Sequence, residues 1–176
     1  MSELIKVALV ADSKLFLRLE KSNSDSQKLL WQLLPNAIDA KLKIVRRDPF
    51  ETKGTRRLLN LGHTLGHCLE SSFSLPHGEA VAWGLLFALE WSRQLGLISE
   101  KVALRIHKAL QKRLPFLTNG TTRPRLKRAQ LKELLMRDKK RVGSAQIDFV
   151  FVKSIGQGLL RKISIQECLK EAARQN

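Results

Sequence analysis

The sequence predicts a mainly α-helical fold, carried by a single domain over residues 1–176, with a small β-hairpin near the C-terminus. Three observations support it. Apolar residues recur at helical spacing over most of the chain. Strand-like alternation of β-branched and aromatic residues is confined to Gln146–Val152, followed by Gly156 and Gly158 as a turn and Leu159–Ile163 as the returning strand. A chain of 176 residues that is 43% hydrophobic is long enough to bury one core.

Taken in order, residues 1–21 read as one amphipathic helix, with Leu4, Val7, Leu9, Val10, Leu15, Phe16 and Leu19 as its apolar set. Glu3 and Lys6 fall in its first turns, which are expected to fray because almost nothing precedes them. The polar break Ser22–Ser26 offers several N-caps to a second helix. Pro35 either kinks that helix or opens a third, which runs to about Arg47. Asp48-Pro49 and Lys53-Gly54 bracket a loop, and a helix is predicted from about Thr55 to Ser71. A short connection leads to the most apolar helix, Glu79 to Gly96. Ser99 caps the next, which ends near Leu114-Pro115, and a basic amphipathic helix spans about Leu126 to Lys139. Ser164-Ile165-Gln166-Glu167 is a capping box that opens a terminal helix.

Composition narrows the function. No apolar run approaches the ~20 residues that cross a bilayer, so no membrane partner is expected. The start lacks the basic-then-apolar pattern of a signal peptide. Cys68 and Cys168 are isolated cysteines, which points to a reduced, cytoplasmic setting rather than a disulfide framework. The chain carries 32 Lys plus Arg against 16 Asp plus Glu, and between Lys101 and Val142 fourteen basic residues face only Glu133 and Asp138. Such a field favours anions: a phosphorylated substrate, nucleic acid or an acidic protein. The plainer reading of most of these charges is a solvated surface. Aromatics make up 6% of the chain, Tyr is absent and none interleave with the basic run, which argues against a nucleic-acid stacking platform.

The richest stretch is Arg56-Arg57-Leu58-Leu59-Asn60-Leu61-Gly62-His63-Thr64-Leu65-Gly66-His67, with Pro76-His77-Gly78-Glu79 behind it. On one continuous helix at ~100° per residue, Arg56, Asn60, His63 and His67 share a polar stripe about 60° wide. Two imidazoles at i and i+4 can address one ion or one substrate, and a third His ten residues on can close the site. A pair of capped, hydrogen-bonded structural histidines is the other reading of the same spacing. Gly62 and Gly66 on this helix, and Ala80, Gly84 and Ala88 on the next, form small-residue stripes that allow close backbone approach and carry His77 toward His63 and His67. Glu79 suits a helix N-terminus, where a carboxylate meets the macrodipole.

Leu59-Asn60-Leu61-Gly62-His63-Thr64-Leu65-Gly66-His67 and His77-Gly78-Glu79-Ala80-Val81-Ala82 together resemble the signature of 3-dehydroquinate synthase, a sugar phosphate cyclase. Ser2-Glu3-Leu4-Ile5-Lys6 resembles the segment that supplies the family's glutamate metal ligand and a substrate lysine. Lys41 through Asp48-Pro49 resembles the approach to the family's Arg-x-x-x-Asn element, and Arg137-Asp138-Lys139-Lys140 resembles its late lysine motif. The resemblance covers nearly the whole chain but only the family's C-terminal half. It implies the helical C-terminal domain of the dehydroquinate synthase-like fold, with Glu3, His63 and His77 binding Zn2+, or Co2+ in its place. It further implies that Lys6, Lys41, Arg56, Asn60, Lys139 and Lys140 act on substrate, with His67 beside the ligands or relaying protons. The implied reaction converts 3-deoxy-arabino-heptulosonate 7-phosphate to 3-dehydroquinate and phosphate in the shikimate pathway, a carbon–oxygen lyase activity. NAD would be bound by the family's other half, expected on a separate chain or missing, and the complete enzyme would be a homo-oligomer. Two spacings depart from the family: the His67–His77 connection is about three residues shorter, and the Lys41–Arg56 loop one residue longer. No Gly-rich dinucleotide loop occurs in the sequence. The competing functions are an inactive zinc-binding remnant and a basic module for nucleic acid or an acidic partner.

Overall fold

The computed structural model of the chain describes residues 1–118, 124–137 and 146–175. Among them run α1 (Ser2–Ala11), α2 (Ser13–Lys21), α3 (Ser26–Arg47), a 3-10 turn (Arg56–Asn60), α4 (His63–Phe73), α5 (His77–Gln94) and α6 (Glu100–Arg113). A second 3-10 turn (Pro115–Leu117), α7 (Arg128–Arg137), β1 (Gln146–Ser154), β2 (Gln157–Ser164) and α8 (Ile165–Gln175) complete the order. The mainly helical fold with one antiparallel hairpin is as the sequence predicts.

Two predicted helices are broken. The single helix expected over residues 1–21 divides at Asp12, which adopts an extended backbone (φ −149°). Its carboxylate accepts a hydrogen bond from the Leu15 amide at 2.9 Å and so opens α2 as an N-cap. The hairpin turn sits against this break. The Gly156 amide donates to the Leu9 carbonyl, and a Cβ on Gly156 would lie 2.6 Å from the Ser13 nitrogen. The helix expected over Thr55–Ser71 is also two pieces, because Gly62 takes a left-handed conformation (φ +79°) between the 3-10 turn and α4.

At Pro35 the helix runs through: α3 is continuous for 22 residues. Asp25, within the predicted polar break, caps it by accepting from the Lys28 amide at 2.9 Å. α5 begins at His77, two residues before the expected start. The capping box forms as predicted, with the Glu167 amide donating to Ser164 Oγ at 3.1 Å and the Ser164 amide donating to Glu167 Oε2 at 2.7 Å. The helix predicted to reach Lys139 is described as α7 to Arg137, and residues 138–145 lie outside the described ones.

α5 is the central helix. Its Phe87 and Trp91 stack edge-on with Phe149 and Phe151 of β1, with Trp91–Phe149 centroids 4.8 Å apart. Ser92, fully buried on the same face, accepts from the Val152 amide at 2.9 Å and donates to the Ala88 carbonyl at 2.6 Å. On the other side, α4 packs so closely on α5 that a Cβ on Gly84 would lie 2.7 Å from the Gly62 carbonyl carbon. α1 packs against both α3 and α5, which brings the N-terminal residues to the start of α5.

Candidate metal centre

Three elements converge on one point. Glu3 comes from the first turn of α1, His63 from the first residue of α4, and His77 from the first residue of α5. His63 Nε2 stands 3.7 Å from Glu3 Oε1 and His77 Nε2 3.8 Å from the same oxygen. One donor atom from each of the three lies within 4.8 Å of the others.

Each imidazole is oriented through its other nitrogen. His63 Nδ1 lies 3.2 Å from the Leu61 carbonyl, so Nδ1–H donates there and Nε2 keeps its lone pair for the cluster. His77 Nδ1 lies 3.2 Å from Glu70 Oε2, with the same consequence. Burial pushes the His63 imidazolium down to about 4, with the Lys6 charge acting in the same direction. The ring is therefore neutral at pH 7, the form a metal takes. Two neutral imidazoles and a carboxylate are the donor set of a catalytic zinc site, whose ligands at about 2.0–2.1 Å stand roughly 3.3 Å apart. The side chains would close by up to about 1.5 Å to reach that spacing. The donors fit the metal in type, number and presented atom.

The cations implied by the resemblance divide. Lys6 is buried, and its ammonium bonds both oxygens of Glu3 at 2.9 and 2.8 Å, lying 3.5 Å from His63 Nε2. Burial lowers the Lys6 pKa, Glu3 opposes this, and the nearby charge of Lys41 on α3 adds to the lowering. Burial works to raise Glu3, but the hydrogen bond and charge of Lys6 hold it below the usual carboxylate range. Lys6 thus lies within the cluster, and Lys41 is near enough for its charge to act on it. His67 joins from the next turn of α4, exposed, with its ring centroid 5.1 Å from that of His63 and 6.4 Å from that of His77. Asn60 is exposed at the end of the 3-10 turn. The Arg56 guanidinium donates to the Pro49 carbonyl at 3.0 Å. The helical stripe that would place Arg56 beside His63 does not exist, because Gly62 interrupts it. Lys139 and Lys140 lie outside the described residues.

Three residues that sequence reasoning passed over take part. Ser2, almost fully buried, donates to the Gly78 carbonyl at 2.6 Å and ties the first turn of α1 to that of α5, one residue from Glu3 and one from His77. The expected fraying of Glu3's turn is thus overturned: Ser2, Leu4 and Ile5 are all buried. Glu70 of α4 orients His77 across the α4–α5 connection, a contact that its spacing in the sequence does not announce. Asp48, fully buried, accepts from the Lys53 amide at 3.0 Å and the Arg56 amide at 3.1 Å, and these backbone donors hold its carboxyl below the usual range. It fixes the loop that leads into the 3-10 turn.

The basic run is less free than its composition implies. Arg113 is buried, and its guanidinium donates to the carbonyls of Leu19, Ser22 and Ser24. Arg105 forms a forked pair with Glu20 at 2.9 and 2.8 Å, and Arg137 bonds Glu133. Among the described residues, no helix is long and apolar enough to cross a membrane.

Comparison with known proteins places this geometry. Two solved structures share the fold: a 2-deoxy-scyllo-inosose synthase complexed with carbaglucose-6-phosphate, NAD+ and Co2+ (TM-score 0.75, 18% identity, 99% of this chain and 51% of that one), and a 2-epi-5-epi-valiolone synthase from Streptomyces hygroscopicus subsp. jinggangensis with NAD+ and Zn2+ bound (TM-score 0.76, 21% identity, 99% and 49%). The architecture is the helical half of the dehydroquinate synthase-like fold. Within that class, the family described as 3-dehydroquinate synthase C-terminal matches residues 1–141. The 3-dehydroquinate synthase of Bradyrhizobium diazoefficiens is 34% identical over 99% of this chain and 49% of its own length. That of Dehalococcoides mccartyi is 36% identical over 91% and 45%. The chain belongs to the 3-dehydroquinate synthase family, and it spans about half the length of the curated relatives it matches.

Proposed function

We propose that this chain is the metal- and substrate-binding domain of a 3-dehydroquinate synthase, a carbon–oxygen lyase that works in the cytoplasm with a dinucleotide-binding half. The observation that carries the reading is the convergence of Glu3, His63 and His77 from three separate helices, with the Lys6 cation bonded to Glu3 beside His63. Glu3, His63 and His77 hold one zinc, and Glu70 and the Leu61 carbonyl keep the two imidazoles turned toward it. Zinc bound there supplies Lewis-acid polarisation of substrate hydroxyls, and NAD on the companion half supplies the transient oxidation.

The chain's own residues position and neutralise a phosphorylated sugar acid, 3-deoxy-arabino-heptulosonate 7-phosphate. Lys6 and Lys41 offer two point charges to its anionic groups, and Lys139 or Lys140 a further one. Asn60 donates to and accepts from a sugar hydroxyl. His67, exposed beside the two histidine ligands, moves protons at the substrate's edge of the cluster. Arg56 recruits the phosphate bidentately once its guanidinium leaves the Pro49 carbonyl. The fit of this donor set to a sugar phosphate favours the cyclase over a basic nucleic-acid module.

Phosphate release from the heptulosonate phosphate tests the reading. The zinc-loaded chain with NAD and a dinucleotide-binding half should release phosphate, and the zinc-loaded chain with NAD alone should not. Release by the chain alone, or no release by the reconstituted pair, would overturn it.

A further inference from the structure

α3 turns two faces outward from its axis. Leu29, Leu33, Ala37, Ala40 and Ile44 are buried and form the face toward the core. Trp31, Ile38 and Leu42, spaced i, i+7 and i+11, lie within about 40° of one another on the opposite side. They are 66%, 50% and 42% exposed. A bulky apolar stripe directly opposite the core face contributes nothing to the fold of this chain, and such a stripe marks an interaction surface. Lys28 and Arg46 flank it on one side and Lys41 on the other, and Asp39, the single acidic residue of α3, has its carboxylate held by Lys43 at 2.7 Å.

The charge selects the occupant. A second copy of this helix laid antiparallel, Trp31 on Leu42, would set Lys28 of one copy against Arg46 of the other, twice over. Like charges at an interface are repulsive. An acidic surface with an apolar groove is complementary. The position on the molecule narrows it further. In the full-length relatives the uncovered half precedes the matched C-terminal part, so it enters at the segment equivalent to α1. α1, which carries Glu3 and Lys6 of the cluster, packs on α3, and the charge of Lys41 on α3 reaches Lys6.

We infer that the Trp31–Ile38–Leu42 stripe of α3 is the docking surface for the companion dinucleotide-binding half, and that the half presents an acidic rim to the flanking Lys28, Lys41 and Arg46. The inference rests on the reading above that such a half completes the enzyme. It places the contact on the helix that also carries Lys41, so docking and the substrate edge of the site share one element.

The test co-expresses the chain with the tagged N-terminal half of the Bradyrhizobium diazoefficiens synthase, whose NAD binding shows that it is folded. The wild-type chain should co-purify with it, and Ile38→Asp should weaken the association at least tenfold. Leu104→Asp, an equally exposed apolar position on α6, should leave it unchanged. Raising the salt concentration should weaken the wild-type association, as expected for a charge-complementary rim. No co-purification with the NAD-competent half, or equal capture of the wild type and Ile38→Asp, would overturn the inference. So would a wild-type chain that dimerises in sedimentation and is dissociated by Ile38→Asp, which assigns the stripe to a second copy. Zinc content measured on the same samples separates the two claims. Stripe-dependent docking without zinc binding removes the metal site and keeps the interface, and zinc binding without stripe-dependent docking does the reverse.

Discussion

Gly84→Ala tests whether the α4–α5 contact builds the metal centre. The new methyl carbon would fall on the Gly62 carbonyl oxygen, 2.7 Å from its carbon and 3.1 Å from the Gly62 Cα. Carbon contacts are comfortable at about 3.5–4.0 Å, so the two backbones must part by roughly 1 Å. Overpacking costs about 1–3 kcal/mol, and here backbone faces backbone with no rotamer to relieve it, so the upper figure applies. Replacing a helical Gly with Ala returns about 1 kcal/mol, which leaves a net loss of about 2 kcal/mol. Gly66→Ala provides the contrast, since its nearest neighbour, the Ala80 carbonyl oxygen, would be 3.2 Å away. A shift of a few tenths of an ångström accommodates that methyl, and the helix-propensity gain brings the net change to within about 1 kcal/mol of zero. Urea denaturation of the three proteins measures both values. Zinc affinity should fall for Gly84→Ala, because the same displacement moves His63 away from His77. A Gly84→Ala protein as stable as wild type, or more stable than Gly66→Ala, would refute the reasoning.

Other perturbations probe separate links. Ser2→Ala removes the bond to the Gly78 carbonyl that sets Glu3 against His77, and zinc affinity measured by competition with a chelator should fall about tenfold or more. Ser92→Ala leaves the buried Val152 amide without its acceptor, and denaturation should show a loss of about 1–3 kcal/mol. The Arg93 guanidinium, with Gln94 and Arg174, holds Glu90 down to about 2 against the opposing effect of burial. A carboxylate depressed in the folded state stabilises above its ordinary value of 4.5 and loses that contribution as pH falls toward 2. Stability should therefore drop across that interval, and Glu90→Gln should flatten the drop.

The sequence revealed elements more readily than the angles between them. The terminal capping box, the Ser99 cap and the hairpin were legible because each depends on residues a few positions apart. The paired small-residue stripes also correctly brought α4 against α5, since only glycine permits the approach at Gly62 and Gly84. Local periodicity could not register the left-handed Gly62, so Arg56 and His63 were assigned to one helical face that the chain does not form. Apolar residues on both sides of Asp12 likewise concealed the cap that splits α1 from α2. The candidate donors Glu3, His63 and His77 were nameable through the family resemblance, but Ser2 and Glu70 owe their places beside them to contacts between separate elements, and spacing alone does not encode these. Composition overstated the free positive charge: Arg113 is spent on three backbone carbonyls that no sequence pattern announces.

The central claim is that Glu3, His63 and His77 together hold a metal ion, and cobalt substitution tests it most directly. Tetrahedral Co2+ with two imidazoles and a carboxylate absorbs strongly in the visible, whereas hexa-aqua Co2+ does so only weakly. Titrating the purified chain with Co2+ should develop that absorption to saturation at one ion per chain. Added zinc should abolish it, and His63→Ala and His77→Ala should each prevent it. A wild-type chain that gives only the weak spectrum of the free ion, or a His63→Ala protein with the full wild-type spectrum, would contradict the account.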